Sequence, residues 1–171
     1  MNPFDVLVAG GSIDRKLTSK IQPLIDSDRI KKIHLVRREH YALHPEKVIS
    51  YSASGLIGKI KPLAELYRFL IMIVIIIKHK PRYLVGIGNI PHGIYTNLLG
   101  TIFRKKRILL LMGKNDLFLT YPNRKFRQNI LLKIASWADL IGTRGTNSKQ
   151  WLIEKGVPEE KIFIPLNVFS F

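Results

Sequence analysis

The sequence predicts an α/β protein built on a largely parallel, doubly wound sheet with helices on both faces. Two observations carry this expectation. Short apolar runs suited to buried strands begin at about residues 4, 33, 47, 83, 108, 139 and 161, and segments with helical spacing separate most of them. Strands that alternate with helices from end to end require crossover connections, and crossovers give parallel sheets. Moreover, no Gly/Ser/Pro-rich linker, internal repeat or low-complexity tract divides the 171 residues. The length therefore fits a single domain over residues 1–171.

The elements follow in order. Phe4 to Ala9 (FDVLVA) reads as a buried strand and leads straight into Gly10, Gly11 and Ser12. Arg15 to Ile25 then places Leu17, Ile21, Leu24 and Ile25 on one helical face. Ile33 to Val36 and Lys47 to Ser50 are the next strands, and Tyr51 to Lys61 is expected to be a loop. Pro62 to Lys80 is a long apolar helix, with Pro62 in its first turn and a basic C-terminus that suits the helix dipole. Its uninterrupted apolar run, Phe69 to Ile77, is nine residues, about half of the roughly 20 needed to span a bilayer. Burial against the sheet is the favoured reading, and exposure to a membrane surface is the other.

Tyr83 to Ile87 is a strand, and the loop Gly88-Asn89-Ile90-Pro91-His92-Gly93 leads from it into a helix, Ile94 to Phe103. Arg104 to Arg107 (RKKR), before the strand Ile108 to Met112, fits a nucleic-acid patch, a lipid-headgroup patch or a solvated turn, the last being the favoured reading. Pro122 to Trp137 is a helix with Phe126, Ile130, Ile134 and Trp137 on its apolar side. A strand at Ala138 to Gly142 follows, then a helix with Thr146 or Asn147 as N-cap and Trp151 and Leu152 turned inward. Gly156 closes that helix, Pro158 forbids its continuation, and Lys161 to Ile164 is the last strand.

Composition narrows the function. There is no cysteine, which removes disulfides, thiolate metal sites and a thiol nucleophile. Lys and Arg number 28 against 12 Asp and Glu, a net charge of +16. Such a field attracts polyanions: nucleic acid, acidic lipid headgroups or phosphorylated substrates. The start of the chain, MNPFDVLVAGG, lacks the basic region and cleavage site of a signal peptide.

Candidate site residues come from the carboxyl ends of the predicted strands, where open α/β sheets bind ligands. Gly10, Gly11 and Ser12 form a strand–glycine–helix turn in which backbone N–H groups can approach a phosphate or sugar, or which is simply a tight connection. No G-x-G-x-x-G or Walker A sequence occurs, so dinucleotide and P-loop assignments are weak. Arg37 and Arg38 stand where a cofactor domain would place an acidic ribose ligand, although an Arg there could accept a 2′-phosphate. No metal-ligand cluster is visible in the sequence.

The segment Ala138 to Asn167, ADLIGTRGTNSKQWLIEKGVPEEKIFIPLN, resembles the end of the first domain of glycosyltransferase family 4, retaining enzymes of GT-B fold. There the phrase is a strand, a Thr/Ser-capped helix, a Gly-Val-Pro turn and a strand ending near Pro and Asn. The GIG-x-x-PHG wording of Gly86 to Gly93 is similar to that family too.

The resemblance implies a Rossmann-like half of a GT-B fold that binds the acceptor. It implies substrate contacts from Gly10, Gly11 and Ser12, from Asn89, His92 and Gly93, from Asp116 after the fifth strand, and from Arg144 after the sixth. Where many family members carry a His near the donor sugar, this chain has Gly113-Lys114-Asn115-Asp116. The family continues past this point into a donor-binding domain with an E-x7-E motif, and no glutamate pair here has that spacing in a strand-to-helix setting.

The expectation is hexosyl transfer from a nucleotide-diphosphate sugar, with no bound cofactor or metal. The expected partners are a glycan or lipid-linked sugar acceptor, an anionic membrane surface, a donor-binding domain or subunit, and a second copy of the chain. A cytoplasmic location, peripheral on the inner face of the membrane, goes with them. A nucleic-acid-binding α/β module using RKKR and the basic helices is the competing expectation.

Overall fold

The computed structural model describes residues 2–11, 14–53, 55–111 and 125–165. Seven strands form one sheet: β1 Phe4–Gly10, β2 Ile30–Val36, β3 Val48–Tyr51, β4 Tyr83–Ile87, β5 Lys106–Leu110, β6 Leu140–Gly142 and β7 Ile162–Phe163. Their order is β3-β2-β1-β4-β5-β6-β7, and the pairs β1–β2, β2–β3, β5–β6 and β6–β7 are parallel. The order runs outward in both directions, as a doubly wound sheet requires. Two compact units divide the chain between Leu84 and Val85.

In the first unit, Val6, Leu7, Val8 and Ala9 of β1 are all at most 1% exposed. A strand covered on both faces favours this kind of continuous apolar run over alternation. β2 pairs with it in register Leu7 to His34 and Val8 to Leu35. Helix α1, Asp14–Asp26, packs on β2 and buries Leu17, Ile21 and Ile25. Residues read from the sequence as a loop contain a short helix, α2, Gly55–Lys59. Ile60 interrupts it in an extended conformation before α3, Lys61–His79, begins with Pro62 in its first turn. α3 ends at Lys80, in the left-handed region with its N–H on the Ile76 carbonyl, and Pro81 prevents continuation.

α3 has two apolar faces. Ala64, Met72, Ile75 and Ile76 are buried, with the guanidinium-bearing Arg68 among them, where the helix packs on β1 and β2. Leu63, Leu66, Leu70, Val74 and Ile77 repeat at intervals of three and four along the opposite face and are 44–60% exposed. The favoured expectation of burial holds for the first face alone. Among the described residues no helix is long and apolar enough to cross a membrane.

In the second unit, a wide helical turn at Asn89–Gly93 runs into α4, Ile94–Ile102. Helix α5, Lys125–Trp137, and helix α6, Thr146–Glu154, follow β5 and β6. The core gathers Leu109, Leu111, Ala135, Ala138, Ile141, Leu152, Val157 and Ile162. Each such large aliphatic side chain taken from water contributes about 1.5–3 kcal/mol.

Three expectations change here. β5 begins at Lys106 rather than Ile108, because the Arg107 backbone joins the ladder through Asp139, as described below. The inner face of α5 is Ile134 and Ala135, whereas Phe126 is 76% exposed and Trp137 39%. The N-cap of α6 is Gly145, with φ of 92°, and no side chain caps the helix; Thr146 is already helical. The other end of α6 is as expected. Gly156, with φ of 84°, donates to Ile153 and Val157 donates to Leu152, a paired closure that needs a left-handed residue.

Candidate functional site

Gly10, the last residue of β1, is buried, Gly11 just beyond it is exposed, and α1 starts at Asp14. The strand–glycine–helix arrangement is therefore present; Ser12 lies outside the described residues. At the end of β2, Arg37 donates its backbone N–H to the Tyr51 carbonyl at 3.0 Å. Its guanidinium is buried, 3.9 Å from the Glu39 carboxylate and 6.0 Å from the centre of the Tyr41 ring. Arg37 is thus turned into the protein, while Arg38 is exposed.

In the second unit the carboxyl ends of four strands are tied to one another. Gly88, with φ of 80°, donates to Leu110 at 2.8 Å, Leu111 donates to Gly142 at 2.8 Å, and Thr143 donates to Phe163 at 2.9 Å. The Asn89–Gly93 turn is seated on β4 by close packing. A Cβ built on Gly86 would lie 2.4 Å from the Thr96 hydroxyl and 3.0 Å from the Gly93 Cα, so only hydrogen fits there. The Thr96 hydroxyl donates to the carbonyls of His92 at 3.0 Å and Gly93 at 3.3 Å. The turn also contains a cis Ile90–Pro91 bond.

His92 is 7% exposed, so its imidazole is a buried group, whereas Ile90 stands out at 55%. The backbone of Asn89 belongs to the turn, and its side chain is outside those described. After β6, Thr143 is fully buried and its hydroxyl has no hydrogen-bond partner among the described residues. Arg144 beside it is exposed. The fold thus brings Asn89, His92, Gly93 and Arg144 to one end of the second unit's strands. Asp116, with the whole Gly113-Lys114-Asn115-Asp116 segment, lies outside the described residues.

The RKKR segment is at the other end of β5. Arg107 donates to both Asp139 carboxylate oxygens, from Nε at 3.1 Å and Nη2 at 3.0 Å, and its backbone N–H donates to Oδ2 at 2.8 Å. Its Nη1 reaches the Thr101 hydroxyl at 2.7 Å. Arg104 to Arg107 with Gly100, Thr101 and Asp139 line an open depression of about 280 Å³. Burial pushes the Asp139 carboxyl up, but the hydrogen bonds and charge of Arg107, with Lys106, outweigh it and hold it below 3.8. Half of the expected solvated turn is therefore strand, and one of its four charges is paired.

Sequence reasoning missed Thr96 and Asn97, and the burial of Thr143. All three are small polar residues whose burial depends on neighbours far along the chain. Asn97 donates from Nδ2 to the Ile134 carbonyl at 2.9 Å, 37 residues away. The only local hint is GIG followed by Thr ten residues after Gly86.

No protein-family model matches the chain, and neither does any curated protein sequence. Solved structures do. A UDP-N-acetylglucosamine 2-epimerase superposes with a TM-score of 0.67 at 13% identity, covering 97% of this chain and 49% of its own. Anabaena Alr3699/HepE, solved with UDP and glucose, gives 0.59 at 16%, covering 97% and 45%. The lipopolysaccharide outer core galactosyltransferase WaaB gives 0.60 at 11%, covering 94% and 44%. The chain spans less than half the length of these proteins. It has the Rossmann-like α/β fold of one half of a GT-B protein. At such identities the likeness is one of fold, and it does not single out family 4.

Proposed function

We propose that the chain is the acceptor-binding half of a retaining, nucleotide-sugar-dependent glycosyltransferase that acts on a lipid-linked or cell-envelope glycan at a membrane surface. The observation that carries the reading is the GT-B half fold, shared with enzymes of UDP-sugars and with a galactosyltransferase. In this reading an acceptor hydroxyl replaces the nucleotide diphosphate on the sugar. The residues of this chain contribute by holding the acceptor in place, a proximity effect. A donor-binding domain or subunit stabilises the leaving diphosphate.

The proposed contacts are the amides of Gly10 and Gly11, the Ser12 hydroxyl, the Asn89–Gly93 turn and the Asp116 carboxylate as a sugar hydroxyl acceptor. Arg144, exposed after β6, is the proposed partner of an anionic group. The outer face of α3 supports the membrane part of the reading. Five exposed aliphatic side chains lie between Lys61 and Lys78 at its two ends, both exposed. Apolar area framed by positive charge is complementary to an anionic bilayer surface.

The test is binding of the purified chain to vesicles with anionic lipid and a polyprenyl-phosphate sugar, titrated with salt beside a duplex DNA control. Binding that requires anionic lipid and strengthens with the sugar lipid is expected. Equal binding to neutral and acidic vesicles removes the membrane reading. Tight DNA binding with a steep salt slope and no effect of the sugar lipid replaces the proposal with a nucleic-acid module.

A further inference from the structure

Asp5, His34 and His79 are 29 and 45 residues apart in sequence, which is why no ligand cluster is legible there. The fold gathers them within the first unit. Asp5 is the second residue of β1, His34 lies in β2 in register with Leu7, and His79 is the last residue of α3. One ligand atom from each lies within 4.8 Å of the other two. We propose that these three side chains bind one divalent transition-metal ion of the zinc type.

The geometry is close to a coordination shell. His34 Nε2 and Asp5 Oδ2 are 3.0 Å apart. Two ligands at about 2.0–2.2 Å from a tetrahedral ion are separated by roughly 3.3–3.5 Å, so an opening of roughly 0.3–0.5 Å admits a metal in place of the hydrogen bond between them. The other ring nitrogen, Nδ1, is 3.1 Å from the Tyr51 hydroxyl. This is the outer hydrogen bond that fixes the ring of a metal-binding histidine. Burial, the largest influence, holds the His34 pKa below 6.5 against the opposing pull of Asp5.

His79 is the movable member. Its ring centre is 4.3 Å from that of His34, with the planes tilted by 36°. No hydrogen bond to a described residue holds it, and it is half-buried at a helix end. Bringing its nitrogen into the shell takes a displacement of roughly 1.5 Å at most, within reach of a side-chain rotation.

Charge and ligand type set the class of ion. The chain is strongly basic, and Lys32 adds a positive charge near His34 while its ammonium donates to the Glu46 carbonyl at 2.6 Å. A single carboxylate in such a field is a poor site for calcium or magnesium, which require several oxygens. Two imidazoles and a carboxylate suit zinc, cobalt or nickel and leave a fourth position for water. The ion would join the start of β1, the middle of β2 and the end of α3, so its binding energy would add to the stability of this unit.

The experiment uses the full chain without an affinity tag, stripped with chelator and titrated with Co(II). Visible absorption, Zn(II) competition and melting temperature are the readouts. One equivalent of Co(II) with the intense spectrum of a four-coordinate site is expected, displaced by Zn(II), with a higher melting temperature when loaded. His79→Gln, which breaks no described hydrogen bond, is expected to weaken binding at least tenfold while keeping the far-UV spectrum. The surface control His44→Gln is expected to bind as the parent does. Absence of stoichiometric binding at tenfold excess metal, or equal affinity in His79→Gln, overturns the proposal.

Discussion

Asp139 connects two strands through one carboxylate. It receives the Arg107 guanidinium on both oxygens and the Arg107 backbone N–H on one of them. The pair is partly exposed, so solvent screening keeps its value modest. Asp139→Asn is expected to destabilise the protein by about 1 kcal/mol at pH 7. The pH dependence has a definite sign. The folded carboxyl titrates below its ordinary 3.8, so its contribution is complete above that value and is lost as pH falls through the lower folded one. Urea unfolding at pH 7 and in steps toward pH 3 should show the difference between parent and variant closing only in the acid range. From the sequence, Arg107 was one of four equivalent basic residues. Nothing local distinguishes the one whose partner is 32 residues away.

At the scale of elements, α3 separates stability from binding on its two faces. Met72 is fully buried, while Leu66 and Leu70 are about half exposed. Met72→Ala is expected to cost about 2–5 kcal/mol. Leu66→Gln with Leu70→Gln should leave stability within about 0.5 kcal/mol but reduce retention on anionic vesicles, which chemical unfolding and co-sedimentation would separate. The helix itself was legible, to within one residue at each end, because Pro62 and the closing basic residues bracket an unbroken helical sequence. Its two-sided character was not. An apolar residue at every second or third position fits burial on any face, and only the width of the sheet beneath decides which side chains are covered. The loop predicted for Tyr51 to Lys61 hid α2 for a related reason: Gly55 and Gly58 weaken the helical signal, though five residues do form a turn and a half there.

For the whole molecule, the alternation of strands and helices carried the architecture, and all seven strands lie where the sequence placed them to within a few residues. Parallel order follows from the crossovers, without reference to any particular side chain. The candidate site was legible in part. Strand ends locate Asn89–Gly93 and Arg144, but the burial of His92 and of the Thr143 hydroxyl, unpartnered among the described residues, arises from packing across strands. Net charge acts at this scale as well. With +16 on 171 residues, self-repulsion opposes the compact state, and salt screens it as the Debye length falls from about 30 Å at 0.01 M to about 8 Å at 0.15 M. The melting temperature is expected to rise over that range of NaCl, by about 2–4 °C for each kcal/mol of relieved repulsion. A scanning calorimetry series that shows no rise would count against it.

The bond from Asn97 to Ile134 has a consequence for where α5 stops. Inside a helix the Ile134 carbonyl would receive the N–H of Ala138, four residues on. Ala138 donates instead to Ala135, at 3.0 Å, and the Asn97 amide takes the vacated carbonyl. The terminus of α5 is thus written in α4. A neighbouring helix supplies the stop signal that α5 lacks in its own sequence, and the two helices share one punctuation mark.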